Sequence, residues 1–211
     1  SLTVLAPNTV GEYIDLADNG IKIFDDLVLD FFVDLSRLLL SDPKIKEYPE
    51  LVSFGFFCRK ANLIKIVRNY SKLEGFRFGK GIAFHVTPGN VPMNFAYSLL
   101  AGMLAGNVNI VRVPSKNFIE IDLLLIKLNN LLDKSEFVSL SKRILIVRYN
   151  SNSSWTKLFT TKCDIRILWG GDKTIDRIRE NQLNASSTDI TFYDRISACV
   201  LDSRGILKLE S

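Results

Sequence analysis

Gly170 and Gly171 follow the apolar run Asp164 to Trp169 and precede a helical pattern. Glycine lets the backbone approach a ligand closely, and the free N–H groups that open a helix receive a phosphate oxygen. A plain tight turn uses the same two residues, and the G-x-G-x-x-G spacing that would separate the readings is absent. Arg112 and Lys116 flank Pro114 and Ser115 at the end of a second apolar run. Two cations beside a stiffened turn and a hydroxyl donor suit a ribose carrying an extra phosphate; solvated loop charges would have the same sequence. Asn90 stands between Pro88 and Pro92, just after Thr87. A rigid turn there would aim its amide at developing negative charge, whereas the same asparagine before a helix also serves as a cap. Asn150 and Ser151 close a third run, after Tyr149.

Other chemistries fall away. The single histidine, His85, lies inside an apolar run, where it reads as a packed, hydrogen-bonded residue rather than a base. One histidine also removes most histidine-dependent metal sites and leaves any Ser-His-Asp triad with one candidate base, so no metal site is expected. Cys58, Cys163 and Cys199 are widely spaced, without a C-x-x-C pair, and each sits in or beside an apolar element. Neither a disulfide framework nor a nucleophile is indicated, and a reducing cytoplasm fits best. Gly75 to Gly81 fails the phosphate-loop template, having three residues between Gly75 and Gly79 and no Ser or Thr after Lys80.

The net charge of +4 comes from basic residues dispersed among acids, which argues against nucleic acid as a partner. The longest apolar stretch, Phe95 to Gly106, is too short for a membrane span. With 211 residues, 47% hydrophobic and 24% charged, the chain is long enough to bury about 70% of its unfolded surface in an ordinary core.

The elements that must position these residues follow from apolar periodicity. Residues 1–75 read as a helical segment: Ile23 to Leu40 and Leu51 to Tyr70 repeat apolar residues at three and four. The aromatic stripe Phe31, Phe32, Phe54, Phe56 and Phe57 reads as core, with a helical interaction module as the rival. Residues 76–211 change rhythm. Strands are expected at Gly81 to Val86, Val108 to Val113, Arg143 to Tyr149, Asp164 to Trp169 and Ile196 to Asp202, with helices between them. Runs too apolar to have one wet face, joined by helices, give an α/β fold: a doubly wound, mainly parallel five-stranded sheet behind an N-terminal helical extension. Ligands of such sheets bind beyond the carboxyl ends of the strands, where Thr87 to Pro92, Arg112 to Lys116, Asn150 and Ser151, and Gly170 and Gly171 fall.

Three separated stretches then resemble a known family. VTPGNVPMNFAYSLLAGMLAGNVNIVRVPSK (Val86 to Lys116) is similar to the aldehyde dehydrogenase superfamily segment in which a T-P-x-N-x-P turn precedes a helix, an A-G-N turn and a strand ending in K-P-S-E. Together with LLLSDPKIKEYPELVSFGFFCRKANL (Leu38 to Leu63) and IRILWGGDKTI (Ile165 to Ile175), it resembles more closely the LuxC-type acyl-CoA reductases, the fatty-acid reductases of bacterial bioluminescence and their relatives.

The resemblance implies an aldehyde-dehydrogenase-like Rossmann domain and NADPH-dependent reduction of an activated acyl group to an aldehyde through a cysteine thioester. It places Asn90 on the asparagine that helps hold the oxyanion, with Thr87 and Pro88 in its turn. Arg112, Pro114 and Ser115 fall on the strand end that contacts the adenosine ribose. Lys116 stands where NAD-preferring relatives carry a glutamate, which favours a 2′-phosphate. Trp169, Gly170 and Gly171 fall on the pyrophosphate turn, Thr174 lies near the adenine, and Asn150 and Ser151 belong to the same rim. Phe192 replaces the water-activating glutamate of hydrolytic relatives, as a reductase permits.

The family's nucleophilic cysteine would lie further along than Ser211, so the stretch is expected to be the cofactor-binding part of a larger enzyme, without turnover alone. A non-enzymatic nucleotide-binding or regulatory module is the alternative. The partners implied are acyl-CoA or an acylated protein, with acyltransferase and synthetase proteins as candidates and homo-oligomer formation left open.

Overall fold

The structure, a computed structural model, describes residues 1–8, 16, 17, 19–70, 75–193 and 199. Its six-stranded sheet contains β1 (Leu2–Ala6), β2 (Ile82–Val86), β3 (Val108–Arg112), β4 (Ile144–Tyr149), β5 (Ile165–Trp169) and β6 (Thr188–Phe192). The spatial order is β1-β4-β3-β2-β5-β6, parallel throughout except for β1, which runs antiparallel to β4. The helices are α1 (Asp26–Ser41), α2 (Pro49–Phe57), α3 (Lys60–Tyr70), α4 (Asn94–Leu104), α5 (Ile119–Leu132), α6 (Val138–Ser141), α7 (Trp155–Lys162) and α8 (Asp172–Arg179). A 3-10 helix spans Pro43–Glu47. None of the described helices is long and apolar enough to cross a membrane.

The sheet is doubly wound, as its sequence pattern implies. From β2 the chain winds outward through α4, β3, α5 and β4, then returns through α7 to β5 on the other side of β2 and continues through α8 to β6. The crossovers therefore cover opposite faces. Val111, Ile144 and Ile146 share one core with Phe31, Phe32 and Leu35 of α1, Leu99 and Met103 of α4 and Leu124 and Leu128 of α5. Phe84, Ile110, Leu145 and Leu168 pack with Phe159 of α7 and Ile175 and Ile178 of α8 on the other face. Buried on both sides, β2 to β4 read as continuous apolar runs.

Four expectations change. Leu2–Ala6, within the stretch expected to be helical, is the edge strand β1; five residues of partly alternating character carry no helical period and gain their bonds only from β4. Among the described residues the fifth parallel strand is Thr188–Phe192; the expected strand Ile196 to Asp202 lies, apart from Cys199, outside the described residues. As an edge strand β6 alternates exposed and half-buried positions, so TDITF never forms an apolar run. The expected helix Leu51 to Tyr70 breaks at Cys58 into α2 and α3, and the Asn62 side-chain amide donates 2.8 Å to the freed Phe57 carbonyl. Phe31, Phe32 and Phe54 are core, as read, but Phe56 is 47% exposed beneath the Arg59 guanidinium.

Caps and one close crossing fix the layers. The Asp25 carboxylate accepts from the Leu27 N–H at 3.0 Å to open α1, and Asp42 does the same for Lys44 at 2.9 Å where α1 gives way to the 3-10 helix. Just before β2, Gly79 donates 2.8 Å to Ile21 O, and Ile21 donates 2.8 Å to Gly106 O. A Cβ on Gly79 would stand 2.1 Å from the Gly106 carbonyl oxygen, so three backbones meet there only because glycine has no side chain.

Candidate functional site

The winding reverses direction between β2 and β5, and at such a switch point neighbouring crossovers leave on opposite faces and open a crevice above the strand ends. A cleft of about 360 Å³ lies there. Thr87, Pro88 and Asn90 reach it from the end of β2, and Arg112, Pro114, Ser115 and Lys116 from β3. Ser151 arrives from β4, Trp169, Gly170 and Gly171 from β5, and Thr174 and Arg177 from α8. Of the residues assigned from the sequence to oxyanion or cofactor contact, Asn150 alone stands outside this lining; its Oδ1 accepts from the Asn152 N–H at 3.3 Å in an exposed turn.

The β3 end is braced from below. Thr87 Oγ1 donates 2.9 Å to Arg112 O, locking β2 to β3, and Ser115 Oγ donates 3.2 Å to Tyr149 O, locking β3 to β4. Arg148 Nε adds a 3.2 Å bond to Pro114 O. Arg112 lies 5.0 Å over the Tyr149 ring and donates from Nη2 to Tyr149 O at 3.3 Å, while its Nε is buried with no hydrogen-bond partner. Burial lowers its basicity, and Arg177 pushes in the same direction against the opposing influence of Tyr149. Lys116 is exposed, with its ammonium 5.2 Å over Phe118. Among the described residues Arg112, Lys116 and Arg177 pair with no carboxylate.

The other wall is glycine and aromatic. Gly170 adopts φ +152°, which disfavours L side chains, and a Cβ built there meets only Thr174, at 3.9 Å, so the backbone faces open space. Gly171 opens α8 without a side-chain cap. Trp169 stacks on Phe192 with centroids 3.7 Å apart and planes at 9°, and its Nε1 donates 3.3 Å to Ser98 Oγ. Asn90 is exposed and not the cap of α4, whose N-cap position is Met93.

The remaining reactive types lie elsewhere. His85 is fully buried, with Nδ1 2.8 Å from Ser98 Oγ and Nε2 3.0 Å from Asn109 Oδ1; burial, opposed by the Asn109 bond, lowers its pKa to about 4. Burial raises the thiol of Cys58 far above its ordinary range and that of Cys163 to about 11, so neither supplies a thiolate near neutral pH. Sequence reasoning missed Arg177. Its signal was its place one helical turn after Thr174, on the same face of α8.

A doubly wound α/β sheet with a basic, glycine-walled crevice at its switch point defines a Rossmann-like α/β domain. Residues 63–209 match the family model described as acyl-CoA reductase (LuxC), and the chain belongs to that family. Among solved structures it is similar to an NAD-dependent benzaldehyde dehydrogenase from Corynebacterium glutamicum, at 13% identity and TM-score 0.58 over 79% of this chain and 41% of that one. A bifunctional proline utilization A protein aligns at 12% identity and TM-score 0.61 over 78% of this chain and 19% of that one. A lactaldehyde dehydrogenase aligns at 10% identity and TM-score 0.56 over 78% and 38% respectively. The chain thus spans about two fifths of the benzaldehyde dehydrogenase's length. No curated protein matches it.

Proposed function

We propose that residues 1–211 hold the cofactor-binding part of an NADPH-dependent reductase that converts an acyl thioester, acyl-CoA or an acyl group carried on a protein, into an aldehyde. The observation that carries this reading is the cleft in which Arg112, Lys116 and Arg177 stand beside the Gly170-Gly171 turn with no carboxylate partner among the described residues. Converging cations repel one another, and a bound polyanion relieves that repulsion. The buried, unpartnered Arg112 Nε fits an anionic group, because a donor left unsatisfied away from water is costly.

When bound, NADPH supplies the hydride. Arg112 and Ser115 would hold the adenosine ribose, Lys116 the 2′-phosphate, the Gly170-Gly171 backbone the pyrophosphate and Thr174 the adenine. The Asn90 amide stabilises negative charge on the acyl oxygen from a turn stiffened by Pro88 and Pro92. Phe192, stacked on Trp169, offers no carboxylate to activate water, which supports reduction over hydrolysis.

Titration of the chain with NADPH and NADH tests the reading. NADPH is expected to bind more tightly, and Lys116→Glu to weaken NADPH at least tenfold, about 1.4 kcal/mol, while sparing NADH. Failure to bind either nucleotide would overturn the cofactor reading; an NADPH preference that survives Lys116→Glu would remove Lys116 from the 2′-phosphate site.

A further inference from the structure

Beneath the cleft, on the α4 side of the sheet, runs a line of buried polar side chains that an apolar core has no need of. Ser98 and Asn107 are 5% exposed, and His85 and Asn109 are fully buried. Each bond in the line fixes the next. Indole N–H only donates, so Ser98 Oγ accepts from Trp169 Nε1 at 3.3 Å. The hydroxyl hydrogen of Ser98 is then directed to His85 Nδ1 at 2.8 Å, which leaves the imidazole proton on Nε2, donated to Asn109 Oδ1 at 3.0 Å. Asn109 is held in that orientation by its Nδ2, which donates 2.9 Å to Asn107 O, and Asn107 Oδ1 accepts from the Lys80 N–H at 2.8 Å. Space for the line is made on α4 at Gly102, where a Cβ would stand 1.9 Å from Asn109 Oδ1 and 3.0 Å from His85 Cε1.

We infer that His85 and Ser98 are positioning residues for Trp169, holding its indole edge so that the ring stands fixed at the β5 end of the cleft. The face of the ring is held independently by Phe192, and the Nε1–H bond supplies the in-plane anchor that stacking lacks. A satisfied buried network of this kind specifies one arrangement, since any rotation leaves a polar atom unpaired in a dry site. The consequence for nucleotide affinity rests on the proposed function; the anchoring itself does not.

The test uses the 211-residue chain with Trp155→Phe, which leaves Trp169 as its one tryptophan. Without ligand, Ser98→Ala is expected to red-shift Trp169 emission and raise its acrylamide quenching about twofold; with NADPH, affinity should fall three- to tenfold. Ser98→Thr, which restores the hydroxyl, should recover both, and far-UV circular dichroism checks the fold. Emission and quenching unchanged in Ser98→Ala would overturn the inference. A changed emission with unchanged NADPH affinity would uphold the anchoring and remove Trp169 from the cofactor site.

A second readout needs no Ser98 variant. In the unsubstituted chain, protonating His85 removes the acceptor for Ser98, so the Trp169 indole N–H resonance should move with the His85 ring as pH falls, while that of Trp155 should not. Among the described residues the ring bonds to Ser98 of α4 and Asn109 of β3 and lies against Gly102 of α4, and its strand neighbours in register are Val111 of β3 and Ile167 of β5; none of these is charged. A Trp169 resonance indifferent to His85 titration would also overturn the inference.

Discussion

Asp189→Ala is expected to destabilise the chain by about 3 kcal/mol, the lower end of the cost of truncating one partner of a buried ion pair. Arg166 is 2% exposed and lies on β5 against α8. Its Nε and Nη2 engage both Asp189 oxygens, at 3.0 and 2.8 Å, while Nη1 donates to Ile178 O and Asn181 O. Arg179 adds a second guanidinium on Asp189 Oδ2 at 3.0 Å. Without the carboxylate, Arg166 keeps its two carbonyl acceptors but loses its counter-charge in a dry site. The two surviving bonds are the reason the lower end of the range applies. Urea unfolding should show a lower midpoint, and the melting temperature should fall by roughly 6–12 °C for a domain of this size. Arg166→Met combined with Asp189→Leu removes both charges together and should recover most of the loss. A double variant no more stable than Asp189→Ala would mean that the pair contributes through geometry rather than by neutralising a buried charge.

That ion pair was invisible in the sequence, whereas the cleft at the opposite ends of the same strands was largely legible. The distinction is physical. β2 to β4 are buried on both faces, and β5 on one face with the other half-buried, leaving apolar runs whose ends mark the ligand-facing loops, so that Thr87, Arg112, Lys116 and Gly170 could be placed there from the sequence. The edges were not legible, because β1 and β6 are mostly half-buried or exposed, so neither forms the apolar run that marks an inner strand. The break at Cys58 was also hidden, since the apolar repeat runs through it and the compensating bond comes from the Asn62 side chain. Arg166 looked like an ordinary charge within DIRILW, its partner 23 residues away on another strand. Arg177 looked like surface charge on α8 until the strand order brought it to the crevice beside Arg112. His85 was legible as a packed, hydrogen-bonded residue, but not as part of a line reaching Trp169, because its partners lie 13 and 24 residues away on different elements.

Stability of the folded chain is expected to fall by about 3 kcal/mol as pH drops from about 6.5 to about 4, with His85 as the cause. Folded His85 is buried and neutral, with its pKa lowered to about 4 from an ordinary 6.5. Between those values the unfolded chain binds a proton that the folded chain refuses, so stability rises with pH across the window, is fully present above it and is lost on acidification. The attribution is clean because the sequence contains one histidine. Asp42, held below its ordinary value chiefly by the Lys127 hydrogen bond, contributes stability that is present above an ordinary carboxyl pKa of 3.8 and lost only in stronger acid. Urea midpoints measured from pH 7.5 to pH 4.5 should therefore decline from about pH 6.5 downward. His85→Gln should flatten that decline while lowering stability at neutral pH, since glutamine cannot reproduce both ring contacts. An undiminished slope in His85→Gln would show that acid unfolds the chain through a different group.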